Sequence, residues 1–365
     1  MKPSEGAPGD FARRLIHWQR EHGRSGLPWQ ATRDPYRVWL SEVMLQQTQV
    51  STVLAYFPRF LARFPDVQAL ASATSDEVMS LWSGLGYYSR ARNLHRCAQM
   101  VVEQYGGVFP ASSQSLATLP GIGASTAAAI AAFCHGEPVS ILDGNVRRVL
   151  TRVTAFDGDV SQGAVQKALN DLAQSILPKA PTGDDMAAYT QGLMDLGATL
   201  CTRSKPACGR CPMRSDCKGL AGGEPTRYPV KTRKLKRRHE SWWLAVLIAS
   251  DTDGSGCVWL ERRPESGIWA GLYCSPVLAD EAAVVALLSG CSGETQHLEP
   301  IAHSLTHREL RLHPVVVRCD APDTWARVRS AHCEEKGQWA ALSNLADWGL
   351  PAPLRTLLAR LTGSA

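Results

Sequence analysis

A helical module followed by a smaller α+β module is the fold class this chain predicts, and three observations predict it. Residues 10 to 200 carry apolar side chains mostly at helical spacing. A Gly-, Pro- and Lys/Arg-rich stretch at 219 to 240 then interrupts the pattern and reads as a linker. Beyond it, SWWLAVLIAS, CVWLERR and LRLHPVVVR are β-rich runs divided by turns, with helical stretches at 281 to 289 and 351 to 361. A chain of 365 residues is too long for one ordinary core. The expected boundaries are 1–218, 219–240 and 241–365.

Composition narrows the class. Hydrophobic residues make up 44% and charged residues 20%, the proportions of a soluble globular protein. No run approaches the length of a membrane span, and MKPSEGAPGDFARR has no apolar signal region. A cytoplasmic protein is expected, nucleoid-associated if bacterial, with no membrane partner. Charge is uneven. Residues 201 to 240 hold twelve Lys and Arg against three acids, net +9, which leaves −4 for the rest of a chain whose total is +5. That segment is either a solvated linker or the footprint of a polyanion.

Taken in order, residues 10 to 22 form an amphipathic helix with Phe11, Leu15 and Trp18 on one face and Asp10 as N-cap. A Gly- and Pro-rich loop follows, with Trp29 exposed to local contacts. VWLSEVMLQQTQVSTVLAYF reads as one long helix. Within it, the i−4, i−3, i+3 and i+4 neighbours of Glu42 are Val38, Trp39, Leu45 and Gln46. Three of the four are apolar, so the carboxyl is desolvated and its pKa is expected to rise toward that of a neutral-pH general acid. Residues 66 to 105 give two more helices around LWSGLGYYSRARNL. Its Tyr87 and Tyr88 beside Arg90 and Arg92 are either core tyrosines or a wedge that stacks on bases while the cations meet phosphates.

Leu119-Pro-Gly-Ile-Gly123 is a turn that opens an Ala-rich helix from Ala124 to Phe133. Pro120 fixes φ, and Gly121 and Gly123 allow φ > 0. Backbone N–H groups at such a turn suit a phosphate, although a plain αα-hairpin has the same signature. Twenty residues on, Asp143-Gly-Asn-Val-Arg-Arg places Asp143 at a sharp turn into another helix, where an ionised carboxylate is favoured. Helices continue from 161 to 200. Of eleven cysteines, Cys97, Cys134, Cys257, Cys274, Cys291, Cys319 and Cys333 are scattered and read as ordinary thiols. The other four, Cys201, Cys208, Cys211 and Cys217, fall within 17 residues. By ligand count alone they suit zinc as well as an iron-sulfur cluster.

These motifs, in this order, resemble the MutY family of the endonuclease III superfamily of base-excision DNA glycosylases. The likeness runs over roughly residues 10 to 360 and rests on the Glu42 helix, the Tyr87 loop, the hairpin, Asp143, the cysteine spacing and SGIWAGLYCSP. It implies an α-helical glycosylase module, built as a six-helix barrel plus an iron-sulfur cluster subdomain, followed by an α+β MutT-like domain. The cysteine loop then holds a [4Fe-4S] cluster on Cys201, Cys208, Cys211 and Cys217. The family removes adenine mispaired with 8-oxoguanine, or guanine, in double-stranded DNA, and a monomer is expected.

By the same resemblance Glu42 protonates N7 of the flipped adenine. Asp143 stabilises the oxocarbenium-like sugar, through its field or a covalent bond, and Asn145 positions water. Arg24, Trp29, Leu45 and Gln191 line the adenine pocket. Gln46, with Gln47 beside it, contacts DNA near the lesion, Tyr87 intercalates, and Gly121 and Gly123 hold a phosphate. Ser125 stands where bifunctional relatives carry a Schiff-base lysine, so strand cleavage by imine chemistry is not expected. In the C-terminal domain, Leu305-Thr306-His307 stands for the family's Phe-Ser-His lesion-reading loop. The glutamate-rich metal box of MutT-like hydrolases is missing, so this domain is expected to recognise a nucleotide rather than hydrolyse one. Two other readings are a bifunctional glycosylase/lyase and a non-enzymatic iron-sulfur DNA-binding protein.

Overall fold

The computed structural model describes residues 8–232, 237–250, 256–289, 293–319 and 337–363. Cys291, Cys333 and Arg233 to Lys236 of the basic stretch lie outside them, as does the side chain of Cys319. Two compact units emerge: residues 1–72 with 96–234, and 73–95 with 235–365.

The first unit is helical. It contains α1 (Pro8–His22), α2 (Pro35–Leu45), α3 (Val50–Arg63) and α4 (Val67–Ser72). The second unit takes α5 (Ser75–Trp82) and the start of α6 (Ser89–Tyr105). The first resumes with α7 (Ser113–Leu116), α8 (Ala124–Ile130), α9 (Gly144–Thr154), α10 (Gly163–Ser175), α11 (Gly183–Asp195) and α12 (Lys218–Ala221). Helix α1 buries Phe11, Leu15 and Trp18, the face its spacing predicts, in a core shared with Val146, Leu150, Tyr189 and Leu193. The helix starts at Pro8, so Asp10 sits in its first turn rather than at the N-cap. Trp29 is buried, not exposed, with its ring edge-on to Phe57 at 5.4 Å.

The expected single helix over 38–57 is broken. Helix α2 ends at Leu45 and α3 begins at Val50. Between them Gln47 adopts φ 57, a left-handed conformation that ends a helical run. Polar Gln46 to Gln49 bury no apolar face that would hold the helix straight, and the break turns them toward a cleft. Residues 66 to 105 likewise form three helices rather than two. A reciprocal cap between Thr74 and Glu77 starts α5 separately from α4.

The second unit is built on eight strands among the described residues. They are β1 (Arg238–Ser250), β2 (Gly256–Arg262), β3 (Tyr273–Cys274), β4 (Val277–Leu278), β5 (Gly293–His297), β6 (Ile301–Ser304), β7 (Arg308–Cys319) and β8 (Gly337–Ala341). Strand β1 pairs parallel with β7, Arg238 opposite Arg308 through Ala249 opposite Cys319, and every other pairing is antiparallel. Its residues Leu244 to Ala249 are all buried, the continuous apolar run of a strand covered on both faces. Helices α13 (Glu281–Leu288) and α14 (Ala352–Leu361) complete the unit.

The α5–α6 segment joins this unit through specific polar contacts. Ser83 Oγ donates to Leu350 O at 2.7 Å, Arg92 Nη1 to Ala270 O at 2.6 Å and Tyr273 OH to Asp76 Oδ2 at 3.0 Å. The stretch expected as a linker is also anchored. Val160 N donates to Val230 O and Arg152 Nε to Tyr228 O, both 3.1 Å, which fixes residues 219 to 232 on the first unit. No helix among the described residues is long and apolar enough to cross a membrane.

Candidate active site

A cleft of about 1560 Å³ opens in the first unit, larger than the roughly 300–1,000 Å³ of a usual small-molecule pocket. Its walls bring together Arg24, Trp29, Glu42, Leu45, Gln46, Gln47, Ser125, Asp143, Asn145 and Gln191. These ten come from five separate stretches of chain.

Helix α2 supplies Glu42. Asp34 caps the helix, accepting from Tyr36 N at 3.0 Å, and Pro35 opens it. Val38, Trp39 and Met44 go into the core, which leaves Glu42 half-buried at the cleft wall. Burial pushes its carboxyl up to about 7, with the negative charge of Asp143 as the second cause.

The hairpin supplies the floor. Gly121 has φ 75 and Ile122 N donates to Leu119 O at 3.1 Å, closing the turn. Gly123 is the N-cap of α8 and offers no side chain, so the first-turn N–H groups stay without a cap. The helix does not run regularly to Phe133. It passes at Ala131 into a π turn ending at His135. Ser125 Oγ accepts from Leu142 N at 3.2 Å and Thr126 Oγ1 from Gln46 Nε2 at 3.3 Å. The hairpin helix thereby holds the segment leading to Asp143 on one side and the α2–α3 break on the other.

Asp143 is the N-cap of α9 and accepts from Val146 N at 2.7 Å. Its position at a helix start does not depress its pKa. Burial raises it, outweighing the N–H groups of Val146 and Asn145 and the charges of Arg148 and Arg147. The cleft thus holds two carboxyls that burial disfavours as anions, one of them near neutral.

Three residues that sequence reasoning passed over shape the cleft. Arg148 Nη2 donates to Asn145 Oδ1 at 2.8 Å and to Gly197 O at 2.7 Å, while its Nε reaches Cys201 O at 2.7 Å. Gly197 permits that approach, because a Cβ there would stand 2.7 Å from Asn145 Cβ. Asp195, fully buried, accepts from Arg24 and Gln191. The available signal for Asp195 was an acid set between Met194 and Leu196 in a helix; the other two had none in the sequence.

The four cysteine thiols sit apart from the cleft, around a smaller cavity walled by Val149, Leu196 and Leu220. No group of three or more His, Cys, Asp or Glu among the described residues is spaced for a single metal ion. All four cysteines line that cavity. All four are free of disulfides. Burial raises the pKa of Cys211 to about 11 and also raises that of Cys217, with the neighbouring thiols adding to both. Such a site needs a cationic group to hold the sulfurs as thiolates, and four soft donors in an apolar wall fit an iron-sulfur cluster.

Arg152 ties that loop down. It is fully buried, and its guanidinium donates to Thr202 O at 2.7 Å, Arg203 O at 2.9 Å and Cys201 Sγ at 3.4 Å. Arg152→Met removes these hydrogen bonds, and each bond from a charged donor is worth about 1.5–3 kcal/mol. We expect a loss of about 3 kcal/mol or more in unfolding free energy, with loss of the visible iron-sulfur absorption. An unchanged melt would show that the loop holds itself.

The remaining sites lie in the second unit. Tyr87 adopts φ 49, is 43% exposed, and its hydroxyl stands 3.2 Å from Thr306 Oγ1. Arg90 packs over the Tyr87 ring and donates to Gly86 O, bracing that turn. Leu305-Thr306-His307 is the exposed turn between β6 and β7, closed by Leu305 N to Arg308 O at 2.8 Å.

Comparisons with known proteins follow this layout. The HhH-GPD superfamily of base excision DNA repair proteins matches residues 40–175, the iron-sulfur binding domain of endonuclease III residues 201–217, and the NUDIX domain residues 245–360. The cofactor is a [4Fe-4S] cluster. The chain is 32% identical over 351 residues to an adenine DNA glycosylase of Buchnera aphidicola subsp. Acyrthosiphon pisum (strain APS), covering 95% of this chain and 96% of that one. It is 34% identical over 362 residues to an adenine DNA glycosylase of Homo sapiens, covering 82% and 65%. A solved structure of a thermostable thymine-DNA glycosylase is 26% identical with a TM-score of 0.52, covering 59% of this chain and 97% of that one.

Proposed function

Because the chain belongs to the adenine DNA glycosylase family, we propose that it acts as a monomer and removes adenine opposite 8-oxoguanine or guanine in duplex DNA, without strand cleavage. The observation that carries the reading is the pairing in one cleft of Glu42, raised to about 7, with Asp143. Cleaving an N-glycosidic bond needs a proton for the departing base and a negative field for the sugar cation. Near neutral pH, Glu42 is protonated for a large share of the time. It donates to adenine N7, the N9–C1′ electron pair leaves with the base, and the Asp143 carboxylate faces the cationic sugar. Water held by Asn145 adds at C1′, and its proton passes to the now ionised Glu42, which restores the acid. Arg24, Trp29, Leu45 and Gln191 enclose the flipped base, and Gln46 and Gln47 meet DNA beside it.

Gly121 and Gly123 turn backbone N–H groups toward a phosphate. Tyr87 wedges into the stack, and Thr306 and His307 read the opposite base. The left-handed, exposed Tyr87 supports the wedge role, since a strained backbone is retained where function needs it. When bound, the cluster rigidifies the 201–217 loop, whose Arg203, Lys205, Arg210 and Arg214 suit DNA phosphates. Ser125 at the hairpin, with no lysine among the described residues lining the cleft, supports the monofunctional reading.

Single-turnover reaction with a labelled duplex carrying adenine opposite 8-oxoguanine tests this. Strand scission only after alkali is the expected result; scission without alkali would establish a lyase. Affinity for any duplex should also fall with salt, with a log–log slope of roughly −4 if four or five of the twelve basic side chains of 201–240 meet phosphates. A flat response would take that stretch off the DNA.

A further inference from the structure

We propose that Asp195 is a positioning residue that fixes which end of the Gln191 amide faces the bound base, and so makes the cleft select a base with an exocyclic amine. The inference rests on the adenine reading above and names a determinant of its specificity.

Asp195 lies one helical turn beyond Gln191 on α11 and is 0% exposed. Its Oδ1 accepts from Gln191 Nε2 at 2.8 Å and from Arg24 Nε at 2.7 Å. Its Oδ2 accepts from the Arg24 backbone N at 2.9 Å. A reciprocal cap between Thr182 and Asp185 sets the start of α11, and therefore the heading of both side chains. Asp195 does not line the cleft, whereas Arg24 and Gln191 do. It can act on a bound base only through them.

The chemistry of the contact removes an ambiguity. An amide can present oxygen or NH₂ to a ligand, and the two ends are nearly alike in size. An ionised carboxylate paired with a guanidinium accepts only. Gln191 must therefore turn its NH₂ to Asp195, which leaves Oε1 as the end free to face the cleft. An acceptor there complements an exocyclic amine donor, the N6–H of adenine. Against hypoxanthine it sets Oε1 toward O6, two acceptors face to face. Arg24 is held by the same carboxylate, so it cannot swing in to neutralise O6.

The test compares single-turnover release of adenine and of hypoxanthine from otherwise identical duplexes by the intact, cluster-loaded protein. Asp195→Asn is expected to lower the adenine-to-hypoxanthine rate ratio roughly tenfold or more, because its NH₂ allows the Gln191 amide to reverse. Equal loss of both rates would mark Asp195 as structural only and overturn the proposal. Gln191→Met leaves Asp195 bonded to Arg24 and removes the amide; it must lower the ratio by a similar factor even if Asp195→Asn does not fold. In the Asp195→Asn, Gln191→Met double variant the ratio should fall no further than in Gln191→Met alone. Wild-type protein that releases neither base would remove the adenine reading and this inference with it. Wild-type release of adenine with unchanged ratios in the variants would overturn the amide assignment alone.

Discussion

Glu42→Gln is expected to slow base release by about 10²–10⁴-fold, the usual contribution of a positioned general acid, while leaving DNA affinity within a few-fold of the wild type. Glutamine keeps the size and the hydrogen-bonding edge but has no proton to give. The wild-type rate should also decline as pH rises through about 7, where Glu42 loses its proton, and the variant's residual rate should lack that limb. The same residue predicts the opposite effect on stability. The folded pKa of about 7 lies above the ordinary value of 4.5, so the folded state binds the proton more tightly than the unfolded chain. Below about pH 4.5 both states are protonated and there is no penalty. Between 4.5 and 7 folding stability falls, and above 7 the full cost remains, about 3 kcal/mol at 1.36 kcal/mol per unit. Glu42→Gln removes that cost, so the variant should melt higher than the wild type at pH 8 and nearly level with it at pH 5. Full activity in the variant, or a melting difference that does not grow with pH, would take the proton-donor role from Glu42.

Asp143→Asn is expected to slow base release by roughly 10³-fold, as losing a preorganised electrostatic partner of a charged transition state does. The substitution separates charge from fold. Asparagine caps helices as well as aspartate does, so the bond from Val146 N and the start of α9 survive and the melting temperature should stay within a few degrees. Asp143→Ala loses the cap as well and should melt lower by an amount equivalent to about 1 kcal/mol. Because burial raises the Asp143 pKa, wild-type activity should also fall on the acid side, at a higher pH than an unperturbed aspartate would give. Together with Glu42 this gives a bell-shaped profile whose limbs belong to the coupled pair. Wild-type rates in Asp143→Asn would exclude charge stabilisation by this residue.

The site was legible wherever local chemistry speaks. The three apolar neighbours of Glu42 already called for a desolvated carboxyl, and burial in the cleft wall pushes its pKa up. The Leu-Pro-Gly-Ile-Gly turn is written in residues with restricted or permissive φ, and Gly121 takes the left-handed value that such a turn needs. The helical spacing misled where distant partners overrode it. The run from 38 to 57 looks continuous because its helical spacing is intact, and only the left-handed Gln47, with Gln46 bonded to Thr126 eighty residues away, breaks it. Trp29 reads as a loop residue until Phe57 is brought against it.

By itself the sequence showed a helical stretch ahead of a β-rich one, the α1 core face and the closely spaced thiols, because each depends on residues near one another in the chain; it placed 73–95 within 1–218, whereas that segment belongs to the second unit. Only the tertiary structure decided how the charges balance. A helix start favours the Asp143 anion, yet burial by distant segments outweighs it and raises the pKa. It was also tertiary structure that set Asp195 between Arg24 and Gln191, 171 residues apart from the first and one turn from the second. Desolvation and long-range hydrogen bonds depend on what the rest of the chain packs around a group, and no local pattern encodes that.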